Sequence, residues 1–292
     1  MKKIISVLLS CFMAFSLLVP SAYAADNNTF TVTVNEYDVY VASRRAAARS
    51  NSSTAAALDT IEEKLTELSE LSSDQLSLMG YDDSQISILH GYNGERIETN
   101  PALRGVFADL TASFSKVAAS NTSLSVKVSW SWSNAPLLAG PAIHDMPAIR
   151  WQGTNTSGQP INLSLNTSGC SCTYDYYSRY IGEPEQYMYS GSATVSTNDP
   201  YGHAYAKVQL GAGSGANLDY YAKTGQMTIR VDRTGSDVIK EAAFVFGYGH
   251  PTITVEPSLS LPASFGIGFS SSVEKMCEVA IRMSSNGTIT AY

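Results

Sequence analysis

From Thr122 onward the chain alternates. Leu124, Val126, Val128, Trp130 and Trp132 are apolar, and Ser125, Lys127, Ser129 and Ser131 between them are polar. Successive side chains of an extended strand point to opposite faces, so this run predicts a strand with one face in a core and the other in water. A helix is excluded there, because a two-residue period would spread apolar groups around its whole circumference. Comparable segments follow at 148–152, 161–165, 173–177, 187–195, 204–210, 218–223, 227–231, 241–246, 252–261, 265–269, 275–283 and 288–292. Turn residues separate them, Asn286-Gly287 most clearly. Lys223-Thr224-Gly225-Gln226 reads as a further hairpin turn. So many short strands with no helical pattern between them predict an antiparallel β-sandwich or jelly-roll-like domain over residues 121–292.

Residues 25–120 read differently. Phe30, Val32 and Val34 alternate with Thr31, Thr33 and Asn35, predicting a strand over Thr29 to Val41. The basic cluster Arg44-Arg45-Ala46-Ala47-Ala48-Arg49 reads as a solvated connection. Leu58, Ile61, Leu65 and Leu68 recur at three- and four-residue spacing, so Ser53 to Leu71 predicts an amphipathic helix. A small helical hairpin follows: a helix carrying Leu76 and Met79, a left-handed stop at Gly80, and a second helix capped by Asp82 or Asp83. Pro101, a good first-turn residue, predicts a third helix to about Phe114. The chain is therefore expected to be α+β: a small helical N-terminal part, a boundary near 120, and a larger antiparallel β domain.

Residues 1–24 look like a secretion signal. Lys2-Lys3 is a basic start, Ile4 to Val19 is uncharged and apolar, and Ser21-Ala22-Tyr23-Ala24 has the small-x-small pattern of a cleavage site. The apolar run is shorter than the roughly 20 residues a membrane span needs. It also continues past Cys11, which speaks against lipid attachment there. The expected location is extracellular, with no stable membrane insertion. Cleavage removes two lysines from a chain already at net charge −7. Such an acidic chain is not expected to bind nucleic acid, which selects for basic patches.

Three cysteines remain after the leader. Cys170 and Cys172 are too close for an unstrained bridge, so the easier pair joins Cys277 to one of them, Cys172 being the candidate. Buried free thiols are the alternative. No spacing of His and Cys completes a metal set, and no cofactor is implied.

The most distinctive local feature is Trp130-Ser131-Trp132-Ser133-Asn134-Ala135-Pro136, then a Pro- and Gly-rich loop carrying His144-Asp145, then Ile149-Arg150-Trp151. This segment resembles one in uncharacterised secreted proteins of Gram-positive bacteria. The hairpin Leu76…Gly80-Tyr81…Gln85-Ile86…Leu89 is similar to theirs as well. The resemblance covers about residues 70–155 and Gly247-Tyr248-Gly249-His250. It implies a bacterial extracellular protein and brings no activity with it.

Candidate sites follow from residue chemistry. Trp130, Trp132 and Trp151 could form an aromatic platform for a sugar ring if exposed, or fill the core. His144-Asp145 could be an acid/base pair, although neighbours on a strand point opposite ways. Tyr201-Gly202-His203 and Tyr248-Gly249-His250 echo one another. Tyrosines crowd the stretch from Tyr174 to Tyr221, Tyr187 and Tyr189 among them; set among Ser, Gly and Asn they suggest an adaptable recognition surface, with Tyr174, Tyr176, Tyr177 and Tyr180 as the candidate binding residues. The favoured expectation is a non-catalytic extracellular protein that binds a glycan, a cell-envelope component or a protein. The alternatives are a secreted hydrolase of extracellular polymers, and a toxin or bacteriocin-like protein.

Overall fold

The computed structural model describes residues 23–26, 29–50, 54–139, 143–178, 185–212, 220–251, 257–260, 265–270 and 273–292. Most of the expected leader, the segment 252–256 and Tyr180 lie outside the described residues. In chain order the long elements are β1 (Thr29–Asn35), α1 (Glu36–Ser50), α2 (Thr54–Ser69), α3 (Ser73–Leu78), α4 (Asp83–His90), β2 (Asp109–Ala119), β3 (Ser123–Trp132) and β4 (His144–Asn155). They continue with β5 (Ser171–Ser178), β6 (Tyr187–Ala193), β7 (Tyr220–Arg233), β8 (Ile239–Pro251) and β9 (Val273–Ser284).

Among the described residues the strands form two large antiparallel sheets and one small pair. The first runs β1-β2-β3-β7-β5-β6, with Tyr23–Asp26 beyond β1 and two short strands, Leu163–Leu165 and Gly211–Ala212, also on β7. The second is centred on β4-β8-β9. One apolar core takes side chains from both sheets: Phe114 of β2 meets Phe246 of β8 edge to face, with ring centroids 6.2 Å apart. A second cluster holds the helices together, with Tyr40 of α1, Ile61 and Leu65 of α2, Leu76 of α3 and Leu89 of α4 all buried. No helix of the described residues is long and apolar enough to cross a membrane.

The helical hairpin forms from local instructions. Ser72 accepts the Gln75 N–H at 3.2 Å and Asp82 accepts the Gln85 N–H at 2.8 Å. Each glutamine returns a bond to the N–H of its cap, which satisfies end groups the helix itself cannot. Gly80 takes φ +88°, a conformation L side chains rarely adopt.

Four expectations are corrected. The first strand stops at Asn35, not Val41, and Arg44-Arg45 belongs to α1 rather than to a connection. Asn35 Oδ1 accepts the Tyr37 N–H at 2.9 Å and starts the helix, and Tyr37, Tyr40 and Val41 then point into the helical core. Arg44 sits 2.7 Å from Glu62 and 3.1 Å from Asp59. The helix expected from Pro101 is only a short 3-10 turn, Pro101–Gly105. Leu110, Ala112 and Phe114 then alternate into the core as β2, so the period of two outweighs the proline signal. The turn after Ala119 joins β2 to β3, and the first sheet runs unbroken across the position of the expected boundary.

The fourth correction concerns Lys223-Thr224-Gly225-Gln226, which is no turn. It lies inside β7, with Gly225 opposite both Trp130 and Tyr174. A Cβ at Gly225 would run into the Trp130 ring. The glycine is there to make room. Gly225→Ala is expected to cost about 1–3 kcal/mol by overpacking. A urea midpoint equal to that of the parent protein would refute this.

The bridge between Cys172 and Cys277 is also absent. Cys172 lies on β5 in the first sheet and Cys277 on β9 in the second; both are buried free thiols. Cys172 faces Met227 and Ala193, and Cys277 faces Tyr248, so neither meets the other across a ladder. Burial raises both thiols to about 12.

Candidate functional site

Trp130, Trp132 and Trp151 are all buried in the core shared by the two sheets. They form no exposed platform. Trp130 and Trp132 pack against Tyr248 with ring centroids 5.6 and 5.9 Å away. Tyr174 and Tyr176 are buried as well, and the Tyr176 hydroxyl donates to the Gln209 carbonyl at 2.8 Å. Tyr177, one residue on, faces outward and is half-buried.

Two exposed aromatics lie next door on β6, the edge of the first sheet, while Tyr201 and Tyr292 are exposed away from it. Tyr187 is 55 % exposed, Met188 41 % and Tyr189 43 %. Their rings form two groups. On the outer face Tyr187 meets Tyr177 at 6.0 Å, and the Lys223 ammonium stands 5.7 Å from the Tyr177 ring. On the core side Tyr189 packs on Tyr176 at 4.7 Å and on Tyr220 at 5.8 Å. Glu185 accepts from both Tyr221 and Lys223 and fixes the approach to the strand. Of the tyrosines the sequence singles out, Tyr174 and Tyr176 turn into the core, Tyr177, Tyr187 and Tyr189 keep exposed surface, and Tyr180 lies outside the described residues.

His144 and Asp145 part company. His144 is half-buried, while Asp145 is wholly buried and joins a polar cluster. Asp145 accepts the Tyr248 hydroxyl at 2.6 Å and a His250 Nδ1–H at 2.7 Å. His250 is cross-strand from Glu274, which accepts the Ser43 hydroxyl at 2.5 Å. Glu36, at the start of α1, is buried too. It accepts the Tyr40 hydroxyl at 3.3 Å and the Ala108 and Leu137 N–H groups at 2.9 and 3.4 Å. The cluster thus ties α1 to β4, β8 and β9.

Its electrostatics follow from burial. Loss of water raises Glu36 to about 7, against the pull of His250 and the two backbone donors. Burial likewise raises Glu274. Burial opposes a charged His250, but Asp145, Glu36 and Glu274 outweigh it and raise the imidazole above its ordinary value. With Nδ1–H turned to Asp145, the buried Nε2 has no hydrogen-bond partner among the described residues. An Asp-His pair is acid/base equipment, but here Asp145 and His250 are both closed off from solvent. Two surface pockets, of about 260 and 370 Å³, are lined by other residues. Among the described residues no three His, Cys, Asp or Glu side chains are placed to hold a metal ion.

No protein-family model and no curated protein matches this chain. Among solved structures, AvmM, described as catalysing macrocyclization in alchivemycin A biosynthesis, is 10 % identical with a TM-score of 0.26, over 60 % of this chain and 88 % of that one. The collagen-binding domain of a Staphylococcus aureus adhesin is 7 % identical with a TM-score of 0.25, over 56 % and 89 %. Clostridium perfringens delta-toxin is 9 % identical with a TM-score of 0.21, over 64 % and 88 %. Similarity this slight assigns no activity.

Proposed function

We propose that this chain is a secreted, non-catalytic binding protein whose two sheets stack as a sandwich and whose ligand docks at the tyrosine edge. The observation that carries the reading is Tyr187-Met188-Tyr189: three consecutive large side chains exposed on an edge strand. Natural edge strands are ordinarily guarded by charge, proline or a covering segment. This one, Tyr187–Ala193, has no charged residue and no proline. Tyrosine suits recognition because it offers a rigid ring and a hydroxyl at little entropic cost. The leader-like residues 1–24 support an extracellular setting, where a glycan, an envelope component or another protein would be met.

The hydrolase reading draws on Asp145–His250, but the closure of that pair gives a polymer no path to it. The binding reading is tested by Tyr187→Ala/Tyr189→Ala against an array of glycans, peptidoglycan fragments and extracellular matrix proteins. Both side chains are exposed, so folding is expected to hold while binding to the array falls at least ten-fold. Undiminished binding by a folded double variant would remove the edge from consideration.

A further inference from the structure

The outer face of the first sheet carries an unusual pattern across strands. At one level the side chains in register are Thr31, Ser113, Ser129, Gln226, Thr173 and Ser192, from β1 through β2, β3, β7 and β5 to β6. All six are uncharged and carry a hydroxyl or an amide. Two residues along, a parallel row runs from Thr33 through Thr111, Ser131, Thr224 and Asp175 to Ser190. Its one charge is internally satisfied: Asp175 accepts the Ser190 hydroxyl at 2.6 Å and the Thr224 hydroxyl at 3.1 Å. Lys127 and Arg230 lie off both rows, and Lys223, a third cation of this face, stands over the Tyr177 ring at the end of the rows and is paired with Glu185.

We infer that this face is a binding site for an uncharged polysaccharide chain, laid across the strands along the rows. This rests on the binding reading above and names its ligand class. Three observations converge on that ligand. The first is charge. The chain is acidic overall, yet the rows present almost none of the charge that keeps an outward sheet face soluble. An anionic polymer would find no cationic row, and a cationic one only a satisfied Asp175.

The second is hydrogen-bonding capacity. Thr31 bonds Ser113 and Thr33 bonds Thr111, both at 2.9 Å, and the Gln226 amide donates to Thr173 at 3.3 Å. These bonds hold the rotamers in place. A hydroxyl has one hydrogen and two lone pairs, so each keeps capacity directed outward, which matches a ligand that is itself a string of hydroxyls.

The third is the end of the rows. Beyond Asp175 and Ser190 stand Tyr177 and Tyr187, whose rings lie on the same outer face, with the Tyr187 hydroxyl 2.9 Å from Ser190. An aromatic ring gives the apolar face of a sugar a place to stack. The six strands span roughly 24 Å at about 4.8 Å each, room for several sugar residues. Strand twist of about 20–25° per step turns each row gradually, so a flexible chain can follow it and a rigid planar lattice cannot.

The test is retention of the full chain on amorphous cellulose, colloidal chitin, β-1,3-glucan and mannan, whose chains are free to follow the twist, beside immobilised alginate and dextran sulfate as anionic controls. Ser113→Lys/Ser129→Lys places two long cations in the middle of the first row. Ser113→Thr/Ser129→Thr keeps the hydroxyls. Circular dichroism confirms that each variant folds. Retention of the parent chain on at least one neutral polymer, a ten-fold or greater loss in the lysine pair, and near-parent retention in the threonine pair are expected. If the lysine pair binds as the parent does while Tyr187→Ala/Tyr189→Ala does not, the rows are wrong and the tyrosine edge stands. Retention on the anionic polymers alone, or on none of the panel, overturns the inference. So would inhibition of ice recrystallisation without any retention, which would give the rows to ordered water instead.

Discussion

Raising the pH from below 4.5 to above 7 is expected to cost this protein roughly 3 kcal/mol of stability through Glu36 alone. The carboxyl holds its proton to about 7 in the folded chain and to 4.5 when unfolded. Between those values the folded chain carries a proton that the unfolded chain has released. Each step up in pH therefore favours unfolding, and the contribution is complete only below the unfolded value. His250 has the same sign. Its folded pKa is raised, so its contribution is present below 6.5 and lost as pH rises through the folded value. Glu274, also raised by burial, adds to the fall. Glu95 acts oppositely, since the Asn93 N–H lowers its pKa, but it lies near the surface and solvent weakens it. Urea titrations at about pH 5 and pH 8 read the slope. In Glu36→Gln, which keeps an acceptor for Ala108, most of the slope between 4.5 and 7 disappears. A slope that survives the substitution would show that Glu36 is not its source.

Asp145→Ala is expected to destabilise the fold by about 3–5 kcal/mol, whereas the same change at His144 costs less than about 0.5 kcal/mol. Asp145 is the acceptor for both the Tyr248 hydroxyl and the His250 imidazole, and all three groups are fully buried. Removing the carboxylate leaves two polar groups in a dry site with no partner. His144 is half-buried and joins no such network among the described residues. Chemical denaturation of the two variants side by side measures the contrast. Equal losses, or a small loss at Asp145, would mean that water reaches the cluster.

The contrast also shows what the sequence could disclose. Periodicity and caps are local, so β3 and the α3–α4 hairpin were legible residue by residue. The Asp145–His250 contact bridges 105 positions. Its halves were visible as His144-Asp145 and Tyr248-Gly249-His250, but no local signal says that β4 and β8 are neighbours. Gly225 misled for a related reason. A glycine among Lys, Thr and Gln reads as a turn, and only the opposite strand reveals the Trp130 ring that needs its missing side chain. The Ser/Thr rows were hidden in the same way. Alternation marks outward positions on each strand, while register, which aligns them, is set by pairings the chain does not spell out. The tyrosines were legible as a crowd but not face by face: the irregularity in the pairing between Tyr176 and Tyr177 sends Tyr187 to the outer face and Tyr189 to the core side, which alternation alone does not disclose.

The placement of the three tryptophans has a spectroscopic consequence. All of them sit in the core shared by the sheets, and the helical cluster contains none. Their fluorescence is therefore expected to be blue-shifted in the native state and to report on the sheets alone. If the helices loosen first, as local opening permits, ellipticity will fall while the emission maximum stays where it was. Only when the two sheets separate will the indoles meet water and the emission move to the red.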